Sequence, residues 1–333
     1  MMLNRKAPGA CAIFMLLVGV SPARSQSTSP LRLEKTIPLS GVKGRIDHLA
    51  FDADNQRLFV AALGNNTVEV IDVKSGTRVR TIDGLAEPQG VIYEPEKKRL
   101  WIANGSDGTV RIFDALSYQP LRRIELGEDA DNVRRDAAAH RVFVGYGSGG
   151  IAVFDLDGNK AGDVTVDAHP ESFQLEKKGT RMFVNLPRSQ KVAVIDRAKS
   201  AVVTSWTTDD AQSNFPMALD EEDRRIFIVC RKPAVLLVLD TGSGAVVEKL
   251  PTVGDSDDVF YDQKRKRIYV SGGEGAIAVY QQKDADHYGK IAQLEAVKGA
   301  RTSLFVPELS RLFLAVRQEG QSAAAIRVYE VTD

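Results

Sequence analysis

The sequence predicts an all-β fold, a seven-bladed β-propeller of four-stranded antiparallel blades, and three observations support this prediction. First, one unit recurs every 40 to 44 residues, a period typical of stacked supersecondary repeats. Second, each unit holds short alternating apolar runs separated by Gly, Asp, Asn or Ser, which is the pattern of β-hairpins. Third, the last unit lacks a fourth strand, which an N-terminal segment can supply. Seven arginines mark the units: Arg57, Arg99, Arg141, Arg181, Arg225, Arg267 and Arg311.

The first predicted strand, residues 31–37, resembles the polar outer strands of the other repeats, such as residues 77–82. The seventh repeat ends after its third strand, residues 325–331, so pairing of the two chain ends would complete the seventh blade. An open strand edge invites association with other chains, and this pairing would cover it. We therefore predict a closed ring in which residues 26–333 form one domain.

Within each repeat, the innermost strand precedes the arginine and the second strand follows it. Two residues after each arginine the side chain is aromatic: Phe59, Trp101, Phe143, Phe183, Phe227, Tyr269 and Phe313. The neighbours of each aromatic residue are aliphatic, so this strand must be covered on both faces, as in stacked sheets. We expect these aromatic side chains to form the core between blades.

An acid stands five residues before the arginine in six repeats, and Val306 takes this place in the seventh. The six acids are Asp52, Glu94, Asp136, Glu176, Asp220 and Asp262. Because a carboxylate can accept hydrogen bonds from the backbone two residues on, we interpret them as turn residues and not as catalytic groups.

Residues 1–25 are predicted to be a secretory signal peptide. Arg5 and Lys6 precede an apolar run at residues 10–20, and residues 22–25 offer a cleavage site. The run is shorter than the roughly 20 residues that span a bilayer, so we expect no membrane insertion. The mature product is expected to be periplasmic or secreted, and monomeric.

The mature chain would carry 41 basic and 44 acidic residues, since Arg5, Lys6 and Arg24 leave with the signal peptide. The two signs are interspersed, so no basic footprint for nucleic acid is present. One cysteine, Cys230, would remain, which excludes an internal disulfide. We expect Cys230 to be a small buried side chain and not a nucleophile.

Several motifs resemble functional sequences but lack a required part. Gly145 to Gly150 contain G-x-G-x-x-G, yet residues 151–154 form a predicted strand and not the helix that an NAD site needs. Asp155, Asp157 and Asn159 have the spacing of a calcium loop, but Lys160 stands where glycine is required. The sequence has no C-x-x-C-H, so no haem c is expected, and it has no H-E-x-x-H or G-x-S-x-G.

The repeats resemble the YVTN-type β-propeller repeat, and residues 31–331 resemble YncE-like exported seven-bladed propellers. The stretches that carry this resemblance are residues 57–61, 101–104 and 268–271 and the Val-x-Val-x-Asp strands ending at Asp72 and Asp196. They consist of packing and turn residues, so the resemblance implies a fold more than an activity. The chain departs from the repeat at residues 186–188 and 230–233, where Pro and basic residues replace the usual Gly/Asn turn.

The candidate site is the mouth of the central channel, formed by the segments that lead into the innermost strands. Residues at a constant offset from the arginines should lie at equivalent heights around the axis. Ten residues before them lie Asp47, Gln89, Asp131, Glu171, Phe215, Asp257 and Arg301, and nine before lie His48, Gly90, Asn132, Ser172, Pro216, Asp258 and Thr302. We predict a ligand site made of Asp47, His48, Gln89, Asp131, Asn132, His169, Glu171, Asp257, Asp258 and Arg301.

Converging carboxylates and imidazoles can bind a divalent cation or raise the pKa of one carboxyl group. A divalent cation is therefore a candidate cofactor, with Asp47, His48 and Asp257 as candidate ligands, although any ring of polar loops also collects charges. Four acids in one ring predict a mouth that attracts cations at low ionic strength. His140 and His287 are expected at the surface.

The leading hypothesis is an exported binding or scaffold propeller that holds a small molecule or a protein partner at the channel mouth. No catalytic motif is identified, so the sequence favours a binding protein over an enzyme. Two alternatives stay open: a metal-assisted lactonase or other hydrolase at the mouth, and a quinoprotein-like accessory protein of an oxidoreductase.

Overall fold

The computed structural model describes residues 1–4 and 29–333, so nearly all of the predicted signal peptide lies outside the described residues. The described strands form seven four-stranded antiparallel sheets, the blades of a ring. Two short 3₁₀ helices, Leu63–Asn65 and Pro307–Leu309, lie between consecutive strands. In the described part of the chain, no helix is long and apolar enough to cross a membrane.

The chain starts with β1 (Leu31–Pro38), which belongs to the last blade. Blade 1 contains β2 (Leu49–Asp52), β3 (Arg57–Ala62), β4 (Thr67–Asp72) and β5 (Thr77–Ile82). Blade 2 contains β6 (Pro88–Glu94), β7 (Arg99–Asn104), β8 (Thr109–Asp114) and β9 (Pro120–Glu125). Blade 3 contains β10 (Val133–Asp136), β11 (Arg141–Tyr146), β12 (Gly150–Asp155) and β13 (Lys160–Thr165).

Blade 4 contains β14 (Phe173–Leu175), β15 (Arg181–Leu186), β16 (Lys191–Asp196) and β17 (Ala201–Thr207). Blade 5 contains β18 (Gln212–Asp220), β19 (Arg225–Lys232), β20 (Ala234–Asp240) and β21 (Val246–Pro251). Blade 6 contains β22 (Ser256–Asp262), β23 (Arg267–Gly272), β24 (Ala276–Gln282) and β25 (Tyr288–Glu295). Blade 7 contains β26 (Ser303–Val306), β27 (Arg311–Val316), β28 (Ala325–Val331) and β1.

The predicted closure of the ring is confirmed. Strand β1 pairs antiparallel with β28, from Leu31 opposite Val331 to Pro38 opposite Ala325. Leu31 and Ile37 point into the core and are each 1% exposed. The N-terminal strand therefore covers the outer edge of the third strand of blade 7, as the missing fourth strand predicted.

The seven aromatic residues that follow the repeat arginines are all buried, which confirms their predicted role in the core. At four seams the aromatic residue of one blade stacks or tilts against an aromatic residue of the next blade. These pairs are Phe59–Tyr93, Phe227–Tyr261, Tyr269–Phe305 and Phe313–Phe51, with ring centroids 5.2 to 6.4 Å apart. Stacked sheets thus bury both faces of the second strand of each blade.

The carboxylates of the predicted turn acids accept hydrogen bonds from backbone N–H groups of their own turns. Asp52 Oδ1 accepts hydrogen bonds from the N–H groups of Asp54 (3.0 Å) and Asn55 (3.2 Å). Glu94 accepts from the two corresponding N–H groups in blade 2 at 2.8 Å each. Cys230 is fully buried in β19, and burial raises the pKa of its thiol to about 12, so it is not a ready nucleophile.

Candidate functional site at the channel mouth

A repeated backbone contact holds the lead-in segments in place. The N–H of Asp47 donates to the carbonyl of Ala61 (2.7 Å), that of Asp131 to Gly145 (2.9 Å), and that of Glu171 to Asn185 (3.0 Å). In each case the acceptor lies on the second strand of the same blade. The shared hydrogen bond explains why residues ten positions before the arginine reach the same height in blades 1, 3 and 4.

Three side chains from blades 3 and 4 form the first part of the mouth, which we call the acid–imidazole cluster: Asp131, His169 and Glu171. One ligand atom from each residue lies within 4.8 Å of the other two. His169 Nε2 lies 3.8 Å from Asp131 Oδ2, which is too long for a hydrogen bond. Asp131 and His169 are buried, and Glu171 is half-buried.

The ring of His169 is oriented by the backbone of blade 3. Its Nδ1 lies 2.5 Å from the carbonyl oxygen of Gly147, and because a carbonyl oxygen can only accept, Nδ1 must carry the proton. This hydrogen bond leaves Nε2 facing Asp131. Metal-binding histidines are commonly oriented in the same way, by a carbonyl or carboxylate on the second ring nitrogen.

Burial and mutual charge shift the protonation of this cluster. Burial, with the neighbouring charge of Asp131, raises the pKa of Glu171 to about 8. Burial opposes a charge on His169, but Asp131, the Gly147 carbonyl and Glu171 outweigh it and raise the histidine pKa to about 9. The pKa of Asp131 is lowered, because His169, His48 and Arg45 outweigh its burial. Near pH 7 these shifts leave Asp131 negative, His169 positive and Glu171 protonated, so a bound cation would have to displace protons from His169 and Glu171.

A second pair joins blades 1 and 6. His48 Nδ1 lies 3.6 Å from Asp258 Oδ1, and Asp258 Oδ2 accepts a hydrogen bond from the Ser303 N–H at 2.7 Å. Burial opposes a charge on His48, but Asp258, Asp47 and Asp131 raise its pKa to about 10. Burial raises the pKa of Asp258. The pair is thus a half-buried ion pair beside the channel.

The opposite part of the mouth holds three arginines, Arg45, Arg231 and Arg301, which we call the arginine cluster. Each of them is paired with one or two of the three aspartates Asp47, Asp255 and Asp257. Arg301 Nε lies 2.7 Å from Asp257 Oδ2, and the Arg231 guanidinium also contacts Asp257. Arg45 Nη2 lies 2.6 Å from Asp47 and 3.9 Å from Asp257. The guanidinium of Arg231 lies 3.8 Å from the ring centroid of Phe215, a cation–π contact.

Sequence reasoning missed Arg45 and Arg231. Arg231 lies in the departure from the repeat at residues 230–233, which was the available signal for it. Arg45 follows Gly44, whose φ of +72° favours glycine, and a Cβ at Gly44 would lie 2.9 Å from Gly64 Cα. This close approach of two loops positions Arg45 over the mouth and leaves no mark in the repeat pattern.

A further missed residue, Arg134, lies deeper in the channel. Its Nε donates to the carbonyl of Phe173 (3.0 Å) and its Nη1 to that of Val133 (2.9 Å). Burial lowers the pKa of this guanidinium, although the charges of Asp258 and Asp131 oppose the shift. Arg134 lines a channel cavity of about 410 Å³ that also reaches His48 and Asp258.

The remaining predicted residues lie at or near the same end of the ring. Gln89 Nε2 donates to Asp129 Oδ1 at 2.8 Å, and Asp129 Oδ2 lies 3.7 Å from His169 Nδ1. Asn132 is 2% exposed, and its Oδ1 has no hydrogen-bond partner among the described residues. His140 and His287 are exposed, as expected for surface residues.

Two details of the predicted site need correction. The three metal candidates Asp47, His48 and Asp257 do not form the group that the structure brings together, because Asp47 and Asp257 contact arginines and His48 faces Asp258. Among residues 29–333, the group of three potential ligands is the acid–imidazole cluster. The mouth is also not uniformly acidic, since the arginine cluster neutralises Asp47 and Asp257.

No family model matches the sequence, and no curated protein matches it. Among solved structures, the chain is similar to Kuenenia stuttgartiensis hydrazine synthase, with a TM-score of 0.74 and 16% identity over 86% of this chain and 97% of that one. It is also similar to a chain in the crystal structure of the mitotic checkpoint complex, with a TM-score of 0.76 and 15% identity over 97% and 99% of the two chains. At these identities the similarity shows the seven-bladed propeller fold alone, and the YVTN-repeat family stays a prediction.

Proposed function

We propose that this protein is an exported, YncE-like binding propeller that holds a small anionic ligand at its channel mouth through a divalent cation. The observation that carries the proposal is the acid–imidazole cluster, which offers one nitrogen and two oxygen ligands within 4.8 Å of one another. Propellers commonly serve as binding scaffolds, and fold alone does not decide between ligands.

The separation between His169 and Asp131 fits one shared ion. Two ligands on opposite sides of a transition-metal ion can lie up to about 4.2 Å apart, twice a bond length of roughly 2.1 Å. The 3.8 Å between His169 Nε2 and Asp131 Oδ2 falls inside this limit. The donor set of one imidazole and two carboxylates suits Zn²⁺, Mn²⁺ or Fe²⁺ better than Ca²⁺, which prefers oxygen ligands throughout.

Arg45, in the arginine cluster, is the reason to expect that the site prefers an anionic ligand. Three protein ligands leave at least one coordination position for a water molecule or a ligand atom. Arg45 is 41% exposed at the mouth, and its charge interacts with those of Asp131 and Glu171. A ligand with two anionic groups could bind the cation with one group and pair with Arg45 through the other.

A metal-assisted hydrolase, such as a lactonase, is the second candidate function. The observation that favours it is the same three-ligand set, because catalytic zinc sites also use three protein ligands and keep one position for water. Hydrolysis of a lactone by the metal-loaded protein, lost in His169→Gln, would favour this candidate over a binding protein.

Export and the monomeric state belong to the same proposal. Arg5, Lys6 and the apolar run at residues 10–20 support an N-terminal signal peptide. Fractionation of cells that express the full chain should place a shortened protein in the periplasm or the medium, and a full-length cytoplasmic product would contradict export.

Metal titration of the mature chain tests the proposed cation site. We expect one Zn²⁺ or Mn²⁺ per chain by calorimetry, with binding at least tenfold weaker in Asp131→Asn and in His169→Gln. His140→Gln is the matched control, because His140 is exposed at the opposite rim and should leave the affinity unchanged. Equal binding by the parent and His169→Gln, or no stoichiometric binding by the parent, would contradict the proposal.

Oxalate, a small dicarboxylate, tests the anionic ligand. It should bind to the metal-loaded parent and lose at least tenfold in affinity in Arg45→Gln, while Zn²⁺ affinity in that variant stays close to that of the parent. If Arg45→Gln binds oxalate as well as the parent does, the arginine cluster does not select the ligand.

A further inference from the structure

Four repeat arginines join their own blade to the next one. Each donates a hydrogen bond to a backbone carbonyl that follows the third strand of the neighbouring blade. The donor–acceptor pairs are Arg99–Leu156, Arg181–Thr241, Arg225–Ala285 and Arg267–Thr332. Arg57 and Arg311 instead pair with carboxylates, Asp72 and Glu34, within their own blades.

Arg141 does neither. Among the described residues, its one hydrogen bond goes from Nη1 to the carbonyl of the preceding residue, His140, at 3.2 Å, and no carboxylate lies within ion-pair distance. Asp155 opposes Arg141 in the strand register, but its carboxylate accepts from the backbone and side chain of Asn159 at 2.8 and 2.9 Å. The guanidinium of Arg141 is therefore left without a fixed anionic partner.

The facing turn of blade 4 is held by a different arginine. Arg197 Nη1 pairs with Asp136 Oδ2 at 2.8 Å, and its Nη2 donates to the carbonyls of Glu176 and Gly179. The arginine–carbonyl contact that joins four of the seams is thus replaced by Arg197 at the seam between blades 3 and 4. A groove of about 570 Å³ opens there, at the rim opposite the channel mouth.

The floor of this groove is apolar and its outer wall is small. Phe143 and Val153 form the floor, and they are 4% and 8% exposed. Blade 4 places Leu175 where four other blades place an aromatic ring against the preceding blade. Gly162 on β13 forms part of the outer wall, and a Cβ added there would meet no atom within 4 Å.

The charge of the groove is positive. Arg141, Lys177 and Lys178 line it, and no carboxylate in residues 29–333 lies within ion-pair distance of their side-chain nitrogens. The nearby Glu221 carboxylate accepts hydrogen bonds from the backbone N–H groups of Lys177 and Lys178 at 2.8 Å. Asp136, the acid in the lining, is neutralised by Arg197. The volume falls in the range of small-molecule sites, roughly 300 to 1,000 Å³. Three unpaired cations beside an apolar floor suit a ligand with an anionic group and an apolar body.

We propose that the groove between blades 3 and 4 binds a small organic anion, with its carboxylate, phosphate or sulfonate group at Arg141 and its apolar part over Phe143 and Val153. This site is independent of the cation site at the mouth, which lies at the other end of the ring.

Titration with 8-anilinonaphthalene-1-sulfonate, an aromatic sulfonate that fluoresces in apolar surroundings, tests the proposal on the mature folded chain. We expect one saturable site per chain. Arg141→Gln should weaken binding at least tenfold because it removes the cation. Gly162→Leu should do the same because it fills the groove without changing any charge.

Two matched controls separate the groove from general surface effects. Arg80→Gln removes an exposed arginine on β5, and Gly289→Leu adds a side chain on β25 where a Cβ also meets no atom within 4 Å. Both should bind the probe like the parent. All four variants should melt like the parent, since a loosened core would also bind the dye.

Parent-like binding in both Arg141→Gln and Gly162→Leu would overturn the proposal, as would the absence of a saturable site in the parent. Competition identifies the kind of ligand. Displacement of the probe by naphthoate supports a small organic anion, whereas displacement by a glutamate-rich peptide and not by naphthoate would overturn it in favour of a protein partner.

Discussion

The blade core and the channel mouth are built from positions at fixed offsets from the same seven arginines, yet they differ in what repeats. In the core, the position two residues after the arginine is aromatic and buried in every blade. At the mouth, the position ten residues before it holds four acids, an amide, an aromatic ring and an arginine. Strand pairing fixes the core positions, and a shared backbone hydrogen bond fixes the mouth positions of blades 1, 3 and 4, whereas those of blades 2, 5 and 6 lie at shifts in the strand register. The periodic residues therefore specify the ring, and the residues that differ between blades give the mouth its particular charges.

Removal of β1 should have the largest effect on the core side of this comparison. A chain without residues 31–38 loses the outer strand of blade 7 and the burial of Leu31 and Ile37. Each buried aliphatic side chain contributes about 1.5 to 3 kcal/mol, so with the lost strand pairing we expect a destabilisation of about 5 kcal/mol or more. Thermal unfolding measures it.

Leu33→Ser is the control within the same strand, because Leu33 is 48% exposed and its loss should change stability little. An unchanged melting temperature after removal of β1 would show that the ring does not depend on closure by the N-terminal strand.

Truncation of one core aromatic residue should lower the free energy of unfolding more than truncation of one mouth residue does. Phe183 is fully buried, and its ring centroid lies 5.6 Å from that of Trp206. Phe183→Ala should therefore lower the free energy of unfolding by about 3 to 5 kcal/mol. Gln89→Ala at the mouth should cost less than about 1 kcal/mol. Urea denaturation of both variants measures the contrast, and equal losses would erase the distinction between the two regions.

Protonation of Asp47 at the mouth should make the free energy of unfolding depend on pH. Burial raises the pKa of Asp47 to about 7, although the charges of His48 and Arg45 oppose the shift, so below pH 7 the folded chain holds a proton there that the unfolded chain releases near pH 4. A raised acid pKa contributes stability that is fully present below the unfolded pKa and is lost as the pH rises through the folded pKa. Between pH 5 and pH 8 the parent should therefore lose stability.

Asp47→Asn removes this proton uptake. The loss of unfolding free energy between pH 5 and pH 8 should be smaller in the variant by about 2.5 kcal/mol, since the proton is held over about two pH units and each unit is worth about 1.4 kcal/mol. Urea denaturation at the two pH values measures the difference. An identical pH dependence in parent and variant would show that Asp47 stays charged when buried.

The periodic part of the structure could be predicted because every blade faces the same packing problem. The aromatic residue after each arginine and the missing fourth strand of blade 7 both follow from covering a sheet on both faces and leaving no open edge. The heights of Asp47, Asp131 and Glu171 were also predictable, since one backbone hydrogen bond in each blade fixes them.

The rest of the mouth depends on how far side chains reach across the channel, which no offset encodes. Arg45, Arg134 and Arg231 stand at three different offsets from their repeat arginines, so the repeat pattern could not reveal them. Asp257 was a metal candidate from its position alone. Arg231 and Arg301, from two other blades, use it as an ion-pair partner instead.

The central claim, that the mouth holds a divalent cation at the acid–imidazole cluster, is tested most directly by anomalous scattering from crystals soaked in Mn²⁺ or Zn²⁺. The account predicts one strong anomalous peak about 2.1 Å from His169 Nε2 and from a carboxylate oxygen of Asp131 and of Glu171. A peak beside Asp47 and Asp257, or no peak at the mouth under saturating metal, would contradict it.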